Sequence, residues 1–280
     1  MDTTKISWCD RVWNPVTGCS PISEGCQNCY ARRMANRLKG RYGYPTDEPF
    51  RPTFHPDRLD EPLHWKKPSR IFVCSMGDLF HERINDSIVD KIMRIIWQAD
   101  QHIFLLLTKR PQNLTYYEIG LEKHLCELPT NLWLGVSIST NKDLWMVETL
   151  LQIPAAKRFV SVEPMLVAIN LDRYLFKAGY LKSNEYFFNE NTLDWVICGG
   201  ESGPKARPMN PDWARSLRDQ CQAAGVPFFF KQMSGKQPIP KDLMIREFPN
   251  MCPHNGPTMT HSNSEVECLN CNQIIGKRRE

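Results

Sequence analysis

Cys19, Cys26 and Cys29 are the residues of this chain best placed to do chemistry. They stand in the run Gly18-Cys19-Ser20-Pro21-Ile22-Ser23-Glu24-Gly25-Cys26-Gln27-Asn28-Cys29-Tyr30, a C-x6-C-x2-C spacing. Three thiolates this close can hold three irons of a cubane cluster and leave its fourth iron open to a substrate or cosubstrate. Four cysteines would instead close the cluster for electron transfer or structure. A zinc knuckle is the alternative, because C-x2-C pairs serve zinc equally well, with Cys9 as the candidate fourth ligand. Spacing alone leaves both readings open.

The elements that must position these thiols follow a clear rhythm. Apolar strand-like runs at Ile71–Ser75, Ile103–Leu107, Leu132–Val136, Arg158–Val162, Trp195–Cys198 and Pro227–Phe230 alternate with stretches of helical periodicity, such as Ile88–Trp97 and Trp213–Ala223. Continuous apolar strands separated by helices point to parallel strands covered on both faces. With a first strand near Trp13–Val16 and a helix over Tyr30–Leu38, about seven βα units result. The expected fold class is α/β, a full or partial (β/α) barrel over residues 1–237; a doubly wound open sheet is the alternative. Residues 40–68, rich in proline and aromatic residues, interrupt the rhythm as a long ordered insertion.

In such a barrel chemistry gathers at the C-terminal ends of the strands. Those ends are polar here: the cysteine loop, then Ser75-Met76-Gly77-Asp78, Thr108-Lys109-Arg110, Ser137, Ser161-Val162-Glu163, Gly199-Gly200-Glu201 and Lys231-Gln232. Singly each reads as a helix cap or a surface ion pair. Together they line a polar mouth. His81 follows the second of these ends and is expected at the surface.

Residues 238–280 differ in character. Cys252, His254, Cys268 and Cys271 supply four zinc-type ligands in a segment too short for its own core, so this appendage is a candidate zinc ribbon. Eleven cysteines in a chain that opens Met1-Asp2-Thr3-Thr4-Lys5, without a signal peptide's basic and apolar regions, argue for reduced thiols and a cytoplasmic setting. No apolar run approaches the length of a membrane span. The net charge of +4 permits nucleic-acid contact without demanding it.

The segments Asn14–Cys19, Gly25–Ala31, Ser75–Phe80, Thr108–Pro111, Ser161–Pro164 and Gly199–Pro208 resemble a phage and prophage family grouped with the radical S-adenosylmethionine (radical SAM) enzymes. The resemblance covers most of residues 1–235. It implies a barrel of radical SAM type and a [4Fe–4S] cluster on Cys19, Cys26 and Cys29, with S-adenosyl-L-methionine chelating the open iron. It also implies a one-electron donor such as flavodoxin or ferredoxin. By position, Ser75, Met76, Gly77 and Asp78 fall where the superfamily binds the methionine amino group, Asp78 being the ammonium acceptor. Lys109, Ser137 and Glu163 are the candidates for the carboxylate and ribose. Two departures are plain. The superfamily's usual spacing is C-x3-C-x2-C, and the aromatic residue usual before the third cysteine is Asn28, with Tyr30 after it.

For the substrate, the phage association points towards nucleic-acid chemistry, within the host cytoplasm if the chain is phage-encoded, and modification of thymine in DNA is one coherent hypothesis. One reading is isomerisation of an amino-acid-modified thymidine, in which abstraction of an α-hydrogen lets the thymine methylene migrate from nitrogen to carbon. The base must then be extruded into a deep site, with Arg32, Arg33, Arg37, Lys39, Arg41, Lys66 and Lys67 available to the backbone. A second reading is a repair lyase acting on a thymine lesion. A third is a non-catalytic, zinc-dependent nucleic-acid-binding protein.

Overall fold

The computed structural model describes residues 4–114, 128–180 and 186–249, together with the backbone of three strands further on. The chain runs β1 (Arg11–Trp13), β2 (Val16–Thr17), α1 (Tyr30–Arg37), β3 (Thr53–Phe54), β4 (Arg70–Val73), α2 (Asp86–Gln98), β5 (Ile103–Thr108), β6 (Leu132–Ile138), α3 (Trp145–Gln152), β7 (Lys157–Val162), α4 (Asp172–Leu175), β8 (Ala178–Tyr180), β9 (Tyr186–Phe188), β10 (Trp195–Gly199), α5 (Pro211–Ala224) and β11 (Phe228–Gln232). Seven of these strands form one parallel sheet in the order β1-β4-β5-β6-β7-β10-β11. The order follows the chain without reversal, which excludes the doubly wound alternative. The fold is a partial (β/α) barrel, with β1 and β11 at its two edges.

Strand alternation divides the sheet's side chains into two sets. Ile71, Val73, Phe104, Leu106, Leu134, Val136, Val160, Val162, Val196, Phe228 and Phe230 join the main apolar core with the helices. In α2 the apolar Val89, Ile92, Met93 and Ile96 recur at helical spacing and are buried. That helix starts where the Asn85 side chain accepts the Ile88 N–H at 3.1 Å. Helix α5 carries Asn210 as its cap, Pro211 at its first position, and Gly225 in the left-handed conformation just after it.

The alternate residues form a second layer of rings. Trp195 lies 5.6 Å from Phe159, 6.1 Å from Phe229 and 6.4 Å from Trp133, centroid to centroid. Trp8, from the segment before β1, closes this layer at 4.6 Å from Phe72 and 6.3 Å from Trp195. One step further along the strands the residues shrink to Gly135, Ser137 and Ser161. A Cβ on Gly135 would stand 2.7 Å from the Phe159 ring. The half-barrel therefore has an aromatic floor, and the small residues above it leave space.

The insertion over residues 40–68 is ordered by 3-10 turns and by β3, which pairs antiparallel with β2. Met1–Glu247 is one compact unit and Phe248–Glu280 a second. The first unit thus extends past position 237: the Ile245 carbonyl accepts the Phe230 N–H at 2.9 Å and the Phe228 carbonyl accepts the Glu247 N–H at 3.1 Å, covering the edge of β11. The second unit contains a three-stranded antiparallel sheet of β12 (Thr258–Thr260), β13 (Glu265–Cys268) and β14 (Gln273–Lys277). The expected zinc ligands Cys252, His254 and Cys271, and the side chain of Cys268, lie outside the described residues. Among the described residues no helix is long and apolar enough to cross a membrane.

Gly135→Ala is expected to lower unfolding stability by about 1–3 kcal/mol, because the new methyl must displace the Phe159 ring. Urea denaturation checks this; an unchanged midpoint would mean that the aromatic floor yields freely.

Candidate metal and cofactor site

The cysteine loop begins where the first strand region meets the end of β4. Gly18 bridges Gly77 in parallel, and its N–H donates to the Met76 carbonyl at 2.9 Å. Gly18 has φ +87°, and a Cβ there would fall 2.1 Å from the Arg51 carbonyl oxygen, so only glycine turns the chain into the loop. The Cys19 N–H then donates to the Phe50 carbonyl at 3.0 Å, tying the loop to the insertion.

Cys19, Cys26 and Cys29 are half-buried and line a single cavity of about 410 Å3 with Phe50, Ser75, Gly77, Asp78, Lys109, Ser137, Ser161, Glu163, Glu201 and Lys231. Trp8 and Phe72 give it apolar walls, and Lys5 and Ile6 also line it. Among the described residues, no three His, Cys, Asp or Glu side chains form a group able to hold a single metal ion. Cys9 is buried and does not line the cavity; its thiol donates to the Ile6 carbonyl at 3.9 Å, and burial pushes its pKa up to about 12. An all-thiolate set that shares a cavity fits the separate irons of a cubane, each of which takes one thiolate.

The thiols differ in environment. Burial, reinforced by Asp78, pushes Cys19 up to about 12 against the pull of Arg110. For Cys26 burial is again the largest influence, but hydrogen bonds from Ile22 and Ser23 and the charge of Lys109 outweigh it and lower the pKa. Burial also lowers Lys109, whose ammonium donates to the Ser137 carbonyl at 2.7 Å.

Two arginine–carboxylate clusters grip the loop from opposite sides. Arg110, 1% exposed, donates to Cys19 Sγ, Ser20, Asp78 and Glu82. On the other side Glu201 Oε1 accepts Arg207 Nη2 at 2.7 Å, and Oε2 accepts Arg207 Nε at 3.1 Å and Asn28 Nδ2 at 2.9 Å. Arg207 Nη1 also donates to the Glu24 carbonyl at 3.1 Å. Burial alone would raise the Glu201 pKa, but the Arg207 side-chain and backbone hydrogen bonds and the Asn28 amide bring it down to about 2.

Asp78 is buried and each oxygen has two donors: Thr108 Oγ1 (2.8 Å) and Phe80 N (3.1 Å) on Oδ1, and Lys109 N (3.1 Å) and Arg110 Nη1 (3.4 Å) on Oδ2. Its visible work is to hold the end of β5. Met76 does not line the cavity; its N–H donates to Asn14 Oδ1 at 3.0 Å. The Tyr30 hydroxyl donates to the Ser75 carbonyl. Glu163 accepts both contacts of the Lys231 ammonium, at 2.6 and 2.8 Å, and its own carbonyl accepts the Ser137 hydroxyl at 3.2 Å. His81 is buried rather than at the surface. Its Nδ1 accepts the Arg83 N–H at 3.1 Å, which leaves Nε2 to donate to Ser20 Oγ at 2.8 Å.

Arg110 and Glu201 occur in the polar strand ends, but nothing in the sequence says that they grip the cysteine loop. The cavity-lining role of Lys5, Ile6 and Trp8 has no sequence signal at all. Of the basic residues proposed to track nucleic acid, Arg33 donates to the Ser202 carbonyl at 3.2 Å and Arg32 stacks over Phe50 at 5.8 Å. Arg37, Lys39, Arg41, Lys66 and Lys67 are exposed.

Residues 3–260 match a family model described as a protein of unknown function, DUF5131. The chain belongs to that family. No curated protein matches it. Among solved structures it is similar to a point mutant of spore photoproduct lyase, with a TM-score of 0.50 and 10% identity over 83% of this chain and 78% of that one. It is also similar to spore photoproduct lyase complexed with dinucleoside spore photoproduct, with a TM-score of 0.48 and 12% identity over 82% and 78%. At such identities the likeness is one of fold.

Glu201→Gln in this DUF5131 protein is expected to cost about 1.5–3 kcal/mol at pH 7, the range for hydrogen bonds to a charged group. The folded pKa lies below the ordinary value of about 4.3, so this stabilisation is present above that value and is lost as pH falls towards about 2. Urea melts of both proteins from pH 7 to 3 check the sign: the stability difference narrows on acidification, and a difference constant over that range would refute the assignment.

Proposed function

We propose that this protein is a radical SAM enzyme acting on a substituted thymine in DNA. The observation that carries the reading is the convergence of Cys19, Cys26 and Cys29 on one cavity at the C-terminal ends of a half-barrel's parallel strands. Bound there, a [4Fe–4S] cluster would supply one electron to the sulfonium of S-adenosyl-L-methionine, and the radical chemistry that follows would begin with abstraction of a substrate hydrogen.

The residues of the chain orient and enclose. Cys19, Cys26 and Cys29 take the irons, and the third thiol leads directly into α1. Ser75 and Gly77 line the cavity and would bind the cosubstrate's amino group, while Asp78, already saturated with donors, keeps the strand ends in register. Lys109 and Ser137 face the same cavity and serve the carboxylate and ribose. Trp8, Phe72 and Phe50 keep water from the reacting atoms. A flavodoxin or ferredoxin supplies the electron.

The reaction in this reading is isomerisation of an amino-acid-modified thymidine: abstraction of the α-hydrogen is followed by migration of the thymine methylene from nitrogen to carbon, which breaks the C–N bond and forms a C–C bond, and the abstracted hydrogen returns to the nitrogen. The paired Glu163 and Lys231 support it, because they offer a carboxylate and an ammonium to an amino-acid zwitterion. The exposed Arg37, Lys39 and Arg41 follow the cysteine loop and suit a phosphate backbone. A second reading, a lyase that restores thymine from a lesion, is favoured by the fold shared with spore photoproduct lyase.

Anaerobic reconstitution with iron and sulfide, followed by EPR of the reduced protein, tests the chemistry. A [4Fe–4S] signal that changes on adding S-adenosyl-L-methionine and disappears in Cys26→Ala is expected. Stoichiometric zinc without a cluster would sink the radical reading. Nucleoside mass spectrometry then separates the substrates: a product of unchanged mass and altered retention from amino-acid-modified thymidine supports isomerisation, and thymine released from a lesion supports the lyase.

A further inference from the structure

Arg110 is spent completely on the cysteine loop and its supports. A guanidinium has five N–H donors in a rigid fork, and here five acceptors meet them. Nε donates to Glu82 Oε1 at 2.9 Å. Nη1 donates to Cys19 Sγ at 3.3 Å and to Asp78 Oδ2 at 3.4 Å. Nη2 donates to the Ser20 carbonyl at 3.1 Å and to Ser20 Oγ at 3.0 Å. The side chain is 1% exposed, so its contact with the buried Asp78 is little screened by water or salt, whereas Glu82 on the other edge is 57% exposed. Asp78 and Glu82 fix the fork from behind, and His81 holds Ser20 Oγ from the far side at 2.8 Å.

The three thiols are unequal in this respect. Cys26 has the neutral Ser23 hydroxyl at 3.5 Å. Among the described residues, the contact from Arg110 to Cys19 is the only hydrogen bond from a cationic side chain to any of the three sulfurs. A buried positive charge with an N–H on a ligand sulfur stabilises the more negative, reduced form of a cluster, because hydrogen bonds to sulfur and local charge set its potential.

We propose that Arg110 is a positioning residue for the cluster ligand Cys19, holding the first turn of the long C-x6-C loop and raising the potential at which the cluster accepts its electron. This rests on the radical SAM reading above. It also accounts for the buried Asp78: the carboxylate orients the arginine that faces the sulfur. Lysine cannot reproduce the arrangement, since its point charge lacks the fork that reaches Ser20, Cys19 and Glu82 together.

The test is a spectroelectrochemical titration, followed by EPR, of the reconstituted wild type, Arg110→Gln and Arg110→Lys, with iron and sulfide content and circular dichroism measured on each. Arg110→Gln is expected to load a cluster whose reduction equilibrium is at least tenfold less favourable, a shift of about 59 mV to lower potential for one electron. Arg110→Lys keeps the charge opposite Asp78, so it folds and shifts less in the same direction. A folded Lys variant that takes up no cluster also supports the proposal, through the loop-holding role. A loaded variant of either kind with the wild-type potential overturns it. If the wild type itself binds no cluster, the radical SAM reading fails instead.

Discussion

The site depends first on the period-two alternation of side chains along parallel strands. In β6 the inward residues run Trp133, Gly135, Ser137; in β7, Phe159 and Ser161, with Glu163 just beyond; in β11, Phe229 and Lys231. Each strand passes from a ring at its start towards a polar group at its end. Because parallel strands all point the same way, the rings stack into a floor and the polar groups gather into a mouth. The opposite alternation buries Val, Ile, Leu and Phe under the helices. A one-residue slip in any strand would exchange the two sets, so the chemistry at the mouth and the stability of the core are held by the same register.

The cysteine loop lies over that mouth and has almost no regular structure of its own beyond one 3-10 turn over Glu24–Cys26. Its shape is imposed from outside. Arg110 grips Cys19 and Ser20, Glu201 with Arg207 grips Glu24 and Asn28, and the Phe50 carbonyl takes the Cys19 N–H. Each arginine is held by carboxylates, so the polar ends of β5 and β10 act as supports as well as walls. A loop with six residues between its first two cysteines has considerable conformational freedom to lose. The two charged clusters supply the restraint that limits it.

Burial decides which polar groups remain available. Asp78 at 5% exposure is fully engaged by its neighbours, and Glu201, equally buried, is committed to Arg207 and Asn28. Lys109, Ser137 and the Glu163–Lys231 pair face the cavity. The last pair is half-buried, with its ammonium and carboxylate paired to each other in the cavity wall. The floor, made of rings, offers no charged or hydrogen-bonding groups of that kind.

How much of this was legible in the sequence depended on whether a feature is local. Apolar runs such as Ile103–Leu107 and the 3.6-residue spacing of Val89, Ile92, Met93 and Ile96 mark the strands and helices, because burial on two faces or on one stripe dictates residue type directly. The C-x6-C-x2-C triplet marks the thiols that line the cavity, because cysteines presented together from one loop must be close along the chain. What Asp78 and His81 do was not legible. An aspartate at a strand end reads the same whether it binds a ligand or an arginine, and His81 became buried only because Ser20, far away in sequence, came to meet its Nε2. Trp8 in the cavity wall, the edge of β11 covered by residues 245–247, and the five contacts of Arg110 arise only when segments distant along the chain are packed together. Sequence by itself determined the strands, the helices and the thiols. Tertiary structure decided which charges face the cavity and which are consumed in holding the loop above it, since pairing in a buried site depends on distances between strand ends that no local pattern encodes.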